Sequence, residues 1–146
     1  EFRRVLFRSA VASPTGLIVP VVKNSQHMSV VEISEESSVL VDKARQGKLM
    51  PDEFSGGTFT ISNLGMFGVD QFTAIINPPE AGILAISGST DEPVVVVNDK
   101  GEKEVTIKPM MNITLSADHR IVDGLVVAQA ITYMKELLEH PLRLLL

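Results

Sequence analysis

The chain has 146 residues with 18 acidic and 13 basic side chains, a size and composition typical of one globular domain, with a net charge of −5. The absence of cysteine excludes a disulfide-stapled scaffold, a thiolate metal site and a cysteine nucleophile. The acidic balance and the single tyrosine argue against nucleic acid, and no apolar run reaches the roughly 18 residues that span a bilayer. We therefore expect neither a nucleic-acid nor a membrane partner.

The first nine residues show no apolar periodicity that continues into the following sequence. We interpret residues 1–9 as a cloning or gene-model scar and leave them out of the predicted fold. A frayed native helix is the alternative interpretation of the same segment.

The next elements are a predicted strand pair and a predicted helix. Two β-rich runs at 11–13 and 17–22 flank a proline- and glycine-containing turn, which favours a hairpin or a bent strand pair. Residues 29–46 are predicted to be helical, because Ser29 and Glu32 have the spacing of a capping box. Apolar residues then recur on one helical face at Val30, Ile33, Leu40 and Ala44, and Gly47 follows the expected end.

The centre of the chain is predicted to form several short strands. They cover residues 58–62, 82–87, 93–97, 105–109 and 110–117, and the third and fourth form a hairpin across the turn at 98–101. A second helix ending near His140 follows, because apolar residues recur at Val127, Ala130, Ile131, Met134, Leu137 and Leu138. Strands between two helices predict a mixed α/β domain.

The segment from Ser116 to Gly124 concentrates reactive side chains at a predicted strand-to-helix junction. An imidazole titrates near neutral pH, so His119 is a candidate general base for a thiol or a hydroxyl. Asp123 lies four residues later, where it is able either to stand one turn from His119 or to cap the helix beginning at Gly124. The residues alone leave both roles open, and a surface loop with a charged cap is the alternative to a catalytic His119.

A glycine-rich strand end at residues 56–65 contains the second candidate, Ser62. Its hydroxyl is able to donate a hydrogen bond to a developing oxyanion, or it satisfies the loop backbone. No Gly-Lys-Ser/Thr ending is present, which argues against a phosphate-binding loop. The three histidines, at 27, 119 and 140, share no ligand spacing, so no metal site is expected.

Five sequence segments carry a family resemblance. They are SPTGLIVP at 13–20, GGTFTISNLGMFG at 56–68, IINPP at 75–79, GILAI at 82–86 and DHRIVDG at 118–124. Together, in this order, they resemble the catalytic domain of dihydrolipoamide acyltransferases, the core components of 2-oxo-acid dehydrogenase complexes. The glycine-rich segment is more similar to the acetyl-transferring members than to the succinyl-transferring ones.

The resemblance implies a role for each candidate residue. It implies that His119 is the general base for a thiol of coenzyme A or dihydrolipoamide, and that Ser62 donates to the tetrahedral oxyanion. It implies that Asp123 supports the site, either by orienting the imidazole or through a structural ion pair. Thioester exchange of this kind needs no metal.

The resemblance also implies an α/β sandwich of two layers with a mixed sheet, similar to chloramphenicol acetyltransferase. Residues 10–146 would be the C-terminal part of the catalytic domain, which would make the fold N-terminally truncated. The family assembles as trimers within larger cages, with the histidine and the serine of one site on neighbouring chains. Its partners are the E1 and E3 components, and its lipoyl group is carried on a separate domain.

Two other functions fit the same residues less well. A non-catalytic core protein of this fold would not need both His119 and Ser62, and a free-standing coenzyme A-dependent acetyltransferase would not need a lipoyl domain. The resemblance places such a protein in the bacterial cytoplasm, or in the mitochondrial matrix of a eukaryote.

Overall fold

The protein is built around a mixed β-sheet of five strands. The structure, a computed structural model, describes residues 7–9, 11–13 and 16–145. In chain order the strands of this sheet are β1 (Phe7–Ser9), β4 (Val21–Val22), β5 (Phe59–Asn63), β6 (Gly82–Val97) and β7 (Lys103–Ala117). Their spatial order is β4-β1-β5-β6-β7, with β5 parallel to β1 and β6, and with the β4–β1 and β6–β7 pairs antiparallel. The predicted mixed α/β class is confirmed.

A separate hairpin precedes β4. Its strands β2 (Val11–Ser13) and β3 (Gly16–Ile18) pair antiparallel, as the turn signal between the two runs predicts. Two residues of that predicted turn, Pro14 and Thr15, lie outside the described residues.

The start of the chain differs from the sequence-based prediction. Residues 1–9 were expected to lie outside the fold, but Phe7–Ser9 form β1, which pairs with both β4 and β5. A strand of three residues is too short to show a recognisable period, and its place depends on partners from distant parts of the chain. The remaining residues of the segment lie outside the described part.

Both predicted helices are present within about one residue of their expected ends. The first, α1 (Val30–Arg45), begins at an N-cap Ser29 whose hydroxyl accepts from the Glu32 amide at 3.2 Å, while the Glu32 carboxylate accepts from the Ser29 amide at 2.7 Å. The second, α2 (Gly124–Glu139), ends at a C-cap His140. Local side-chain chemistry therefore fixes both boundaries.

The strands β6 and β7 are longer than predicted. Each merges two predicted strands, so that β6 runs through the glycine at 88 and β7 runs through Pro109. The register shifts between Ile86 and Ser89, which is an irregularity that lets a continuous strand bend. Beyond it the pair ends at the predicted turn, where the Asn98 amide donates to the Glu102 carbonyl oxygen at 2.9 Å.

The described core lies on the β4, α1 and β6 side of the molecule. Its buried apolar residues are Val21, Val22, Leu40, Ala44, Ile83, Leu84 and Ala85. By contrast, α2 packs against β7 without fully burying any of its residues. The stability of the domain therefore depends mainly on α1 and the central strands.

The glycine at 82 permits close packing at the start of β6. A Cβ atom there would lie 3.0 Å from the Ser116 carbonyl oxygen and 3.3 Å from the Phe59 ring. We expect Gly82→Ala to lower the free energy of unfolding by about 1–3 kcal/mol, because β5 and β7 would have to move apart. Thermal unfolding measures this loss. The matched control is Gly124→Ala, whose Cβ would meet nothing within 4 Å, and an equal loss in both variants would contradict the packing explanation.

An extended segment, residues 69–76, connects the two ends of the sheet. The Val69 carbonyl oxygen accepts from the Gly88 amide at 2.8 Å, and the Asp70 carbonyl oxygen accepts from the Asn112 side chain at 3.0 Å. Further along, the Ala74 carbonyl oxygen accepts from the Ser116 hydroxyl at 3.0 Å. The segment thus follows β7 towards the turn that carries His119.

Candidate active site

His119 lies in a turn that joins β7 to α2. The Asp118 amide donates to the Ala81 carbonyl oxygen at 2.9 Å, which fixes the start of the turn beside the start of β6. The Asp118 carbonyl oxygen then accepts from the amides of Ile121 at 3.0 Å and Val122 at 3.1 Å. His119 is exposed within this turn, so its imidazole is open to a substrate.

An ion pair between Asp118 and Arg120 spans His119. The Arg120 side chain donates to the carboxylate through Nη2 at 2.6 Å and through Nε at 3.0 and 3.1 Å, and the Arg120 amide donates to Oδ1 at 3.0 Å. These hydrogen bonds lower the pKa of Asp118 to about 2. Because the pKa is lowered, the pair contributes to stability above pH of about 4, the ordinary value for aspartate, and loses that contribution only as the pH falls towards 2.

Asp123 caps the second helix. Its Oδ1 accepts from the Val126 amide at 3.0 Å, and its backbone adopts the extended conformation typical of an N-cap. The structure shows no hydrogen bond between this carboxylate and the His119 imidazole. Of the two placements that the sequence leaves open, the structure therefore shows the cap.

Replacing Asp123 tests this capping role. We expect Asp123→Ala to lower the free energy of unfolding by about 1 kcal/mol, because the Val126 amide loses its acceptor. Asp123→Asn keeps an acceptor oxygen, so its thermal unfolding should stay close to that of the unsubstituted protein. Equal destabilisation by both substitutions would show that the charge, rather than the cap, is what matters.

Ser62 lies near the carboxyl end of β5, in the middle of the sheet. It is half-buried, and its register partner on β6 is Ala85. Within the described part of the chain its hydroxyl has no hydrogen-bond partner. The hydroxyl is therefore free to donate to a bound ligand.

The structure places Ser62 and His119 apart. His119 follows Ala117, which is opposite Gly82 at the start of β6, whereas Ser62 is level with Ala85. Because a strand rises about 3.3 Å per residue, Ser62 lies about 10 Å from the sheet end that carries His119, and two strands away from β7. The two side chains of one chain do not form one site.

The sequence analysis assigned no role to Asp118 or Arg120, although it noted charged residues at this junction. The signal was the Asp-x-Arg spacing, which is able to bridge the intervening residue but is common in surface loops. Among the described residues no group of three or more histidine, aspartate or glutamate side chains is arranged to hold a metal ion. No helix in the described ranges is long and apolar enough to cross a membrane.

The most prominent groove lies elsewhere, between β7 and α2. Its volume is about 450 Å³, and its lining is mainly apolar, including Met110, Met111, Ile131 and Leu138, with Lys135 at its edge. Neither His119 nor Ser62 lines it. The reactive side chains, not the groove, therefore define the candidate site.

Comparison with known proteins places this arrangement in context. Residues 5–146 match the family model described as 2-oxoacid dehydrogenases acyltransferase (catalytic domain). A mitochondrial dihydrolipoyllysine-residue acetyltransferase component of the pyruvate dehydrogenase complex from Schizosaccharomyces pombe is 49% identical over 146 residues, which are 100% of this chain and 30% of the relative. The chain thus spans about a third of the length of this curated relative.

Two solved structures share the fold. One is the Azotobacter vinelandii dihydrolipoamide acetyltransferase, with a TM-score of 0.88 and 37% identity over 99% of this chain and 57% of that chain. It was investigated for the role of a serine, a histidine and an asparagine in its catalytic mechanism. The other is the cubic core of a pyruvate dehydrogenase multienzyme complex, with a TM-score of 0.89 and 36% identity over 99% of this chain and 57% of that chain. The predicted α/β fold, similar to chloramphenicol acetyltransferase, is consistent with these likenesses.

Proposed function

Because the chain belongs to the 2-oxoacid dehydrogenase acyltransferase family, as part of its catalytic domain, we propose that it transfers an acetyl group between coenzyme A and dihydrolipoamide. The observation that carries this proposal is the exposed imidazole of His119 in a turn fixed at both ends, together with the unpaired hydroxyl of Ser62. The acetyl group, rather than a larger acyl group, is favoured by the activity for which the similar proteins are named.

His119 acts as the general base. A thiol with a pKa near about 8.5 is mostly protonated at neutral pH, so a neutral imidazole is needed to produce the reactive thiolate. The imidazole takes the thiol proton as sulfur attacks the thioester carbonyl carbon. When the tetrahedral intermediate collapses, the other thiolate leaves and takes the proton back from the imidazolium. The cycle needs no other proton donor.

Ser62 stabilises the intermediate. The carbonyl oxygen becomes negatively charged during the attack, and a hydroxyl already positioned to donate is worth more in the transition state than in the ground state. Its place inside a central strand supports this role, because a strand holds a side chain more firmly than a loop does. Ser62 is not a nucleophile in this scheme.

The two residues serve one site from neighbouring chains. Their separation along the sheet within one chain supports a site formed by His119 of one copy and Ser62 of the next. A trimer with head-to-tail interfaces would contain three such sites. Assembly of trimers into a cage is supported by the cubic core formed by a protein of the same fold.

Asp123 supports the site through α2. In the Azotobacter vinelandii enzyme the histidine and the asparagine under study are four positions apart, as are His119 and Asp123 here. Aspartate and asparagine are both good N-caps. The proposed role of Asp123 is therefore to fix the helix start that ends the His119 turn, not to accept a proton.

The remaining parts of the reaction lie in other molecules or domains. Coenzyme A is a substrate, and the lipoyl group arrives on a separate domain. The E1 and E3 components of the complex are the proposed partners, in the bacterial cytoplasm or the mitochondrial matrix. The residues that bind coenzyme A are not assigned.

The proposed function is tested by mixing the protein with acetyl-CoA and free dihydrolipoamide and measuring S-acetyldihydrolipoamide. We expect formation of this product, with a higher kcat/KM for acetyl-CoA than for succinyl-CoA. A preference for succinyl-CoA would overturn the acetyl assignment. Absence of transfer from either donor, in a folded and assembled protein, would overturn the acyltransferase assignment.

A further inference from the structure

The His119 imidazole has no side-chain partner that would orient it. The nearest candidate, Asp123, uses its carboxylate to cap α2, and His119 itself is exposed. Within the described residues no hydrogen bond holds the imidazole. Its position must therefore come from the backbone of the turn.

The Asp118 carboxylate controls that backbone. Its Oδ1 accepts from the Arg120 amide at 3.0 Å, which closes a small ring with His119 as the central residue. Aspartate commonly bonds to the backbone two residues ahead in this way, and the bond restricts the torsion angles of the residue between. His119 is thus the residue whose backbone is most constrained by this carboxylate.

The Arg120 guanidinium then holds the carboxylate. It bonds to both oxygens, with the shortest contact at 2.6 Å. Most exposed ion pairs contribute little, but a planar guanidinium bound to both oxygens of one carboxylate has a defined geometry. The Asp118 side chain is only 17% exposed, whereas that of Arg120 is 89% exposed. The arginine therefore covers the carboxylate rather than packing into the protein.

We propose that the Asp118–Arg120 pair is a positioning device that holds the His119 imidazole in place for proton transfer. This inference rests on the proposed function, in which His119 is the general base. The pair acts through the turn and does not touch the substrate. It remains ionic at every pH at which the enzyme would work, so it is a permanent constraint rather than a switch.

The variants separate the two bonds that Asp118 makes. Arg120→Gln removes the guanidinium but keeps the backbone amide, and Asp118→Asn keeps an acceptor for that amide. Asp118→Ala removes both bonds. We expect kcat for acetyl transfer to fall about 10- to 100-fold in Asp118→Ala and less in the other two, with KM for acetyl-CoA within about twofold, because misplacing a catalytic group slows the chemical step.

Three comparisons make this result specific. The double variant Asp118→Asn/Arg120→Gln should be little worse than either single variant, because residues that act as one unit are not additive. The control Arg45→Gln breaks an exposed ion pair with Asp42 on α1 and should leave kcat within about twofold. A raised KM for acetyl-CoA with unchanged kcat in Arg120→Gln would instead make Arg120 a substrate-binding residue, and would overturn the proposal.

Amide hydrogen exchange provides a measurement that does not depend on turnover. In Asp118→Ala we expect about tenfold faster exchange at the Ile121 and Val122 amides, which bond to the Asp118 carbonyl oxygen, and no change at the Val127 amide in α2. Unchanged exchange at 121 and 122 together with unchanged kcat would overturn the proposal. If the unsubstituted protein transfers no acyl group, the proposed function fails, and exchange alone then decides whether the pair holds the turn.

Discussion

His119→Ala is expected to lower kcat for acetyl transfer by about 10²- to 10⁴-fold, the usual effect of removing a general base. The physical reason is that no other group in the turn is able to take a proton at neutral pH. Asp118 is bound to Arg120 with its pKa lowered to about 2, and the Asp123 carboxylate caps α2. Steady-state production of S-acetyldihydrolipoamide measures the loss.

The fold of this variant should be unchanged. His119 is exposed and makes no side-chain hydrogen bond within the described residues, so removing its ring leaves the turn intact. The matched control is His27→Ala, because His27 is also exposed and lies in a short turn before α1. We expect His27→Ala to keep kcat within about twofold. Unaltered transfer in His119→Ala would remove this residue from the mechanism.

Ser62→Ala is expected to lower kcat by about 10²-fold with little change in KM, because an oxyanion donor contributes mainly in the transition state. Alanine is close to serine in size, and the Ser62 hydroxyl has no partner in the described structure. The sheet should therefore accept the substitution without a change in thermal unfolding. Initial rates over a range of acetyl-CoA concentrations separate kcat from KM.

A second strand serine provides the control for this variant. Ser89 lies in β6 beyond the register shift and is exposed. Ser89→Ala should leave both kinetic constants within about twofold. If Ser62→Ala raised KM and left kcat unchanged, the hydroxyl would bind the ground state of the substrate, and the oxyanion role would be wrong.

The features predicted correctly are those set by neighbouring residues. The capping box of Ser29 and Glu32 is a local arrangement, and so is the turn at 98–101, so each is readable from the sequence. The same holds for the apolar face of α2, whose start is fixed by the Asp123 cap. The family resemblance led to His119 and Ser62, whose roles remain predictions.

The features that were missed depend on distant parts of the chain. The place of β1 between β4 and β5 requires partners from two other regions, and nothing in three residues indicates it. The merging of two predicted strands into β6 follows from its long pairing with β7, which overrides the local effect of the glycine at 88. The separation of Ser62 from His119 likewise appears only once the register of β5, β6 and β7 is known.

The most direct test of the central claim is co-expression of the His119→Ala and Ser62→Ala chains with different affinity tags. Each chain alone should be nearly inactive. If one site takes His119 from one copy and Ser62 from its neighbour, random mixing should restore about a quarter of the unsubstituted activity in assemblies that carry both tags, since one pairing in four has both residues intact. Co-purified assemblies that contain both chains and still transfer no acetyl group would contradict the account.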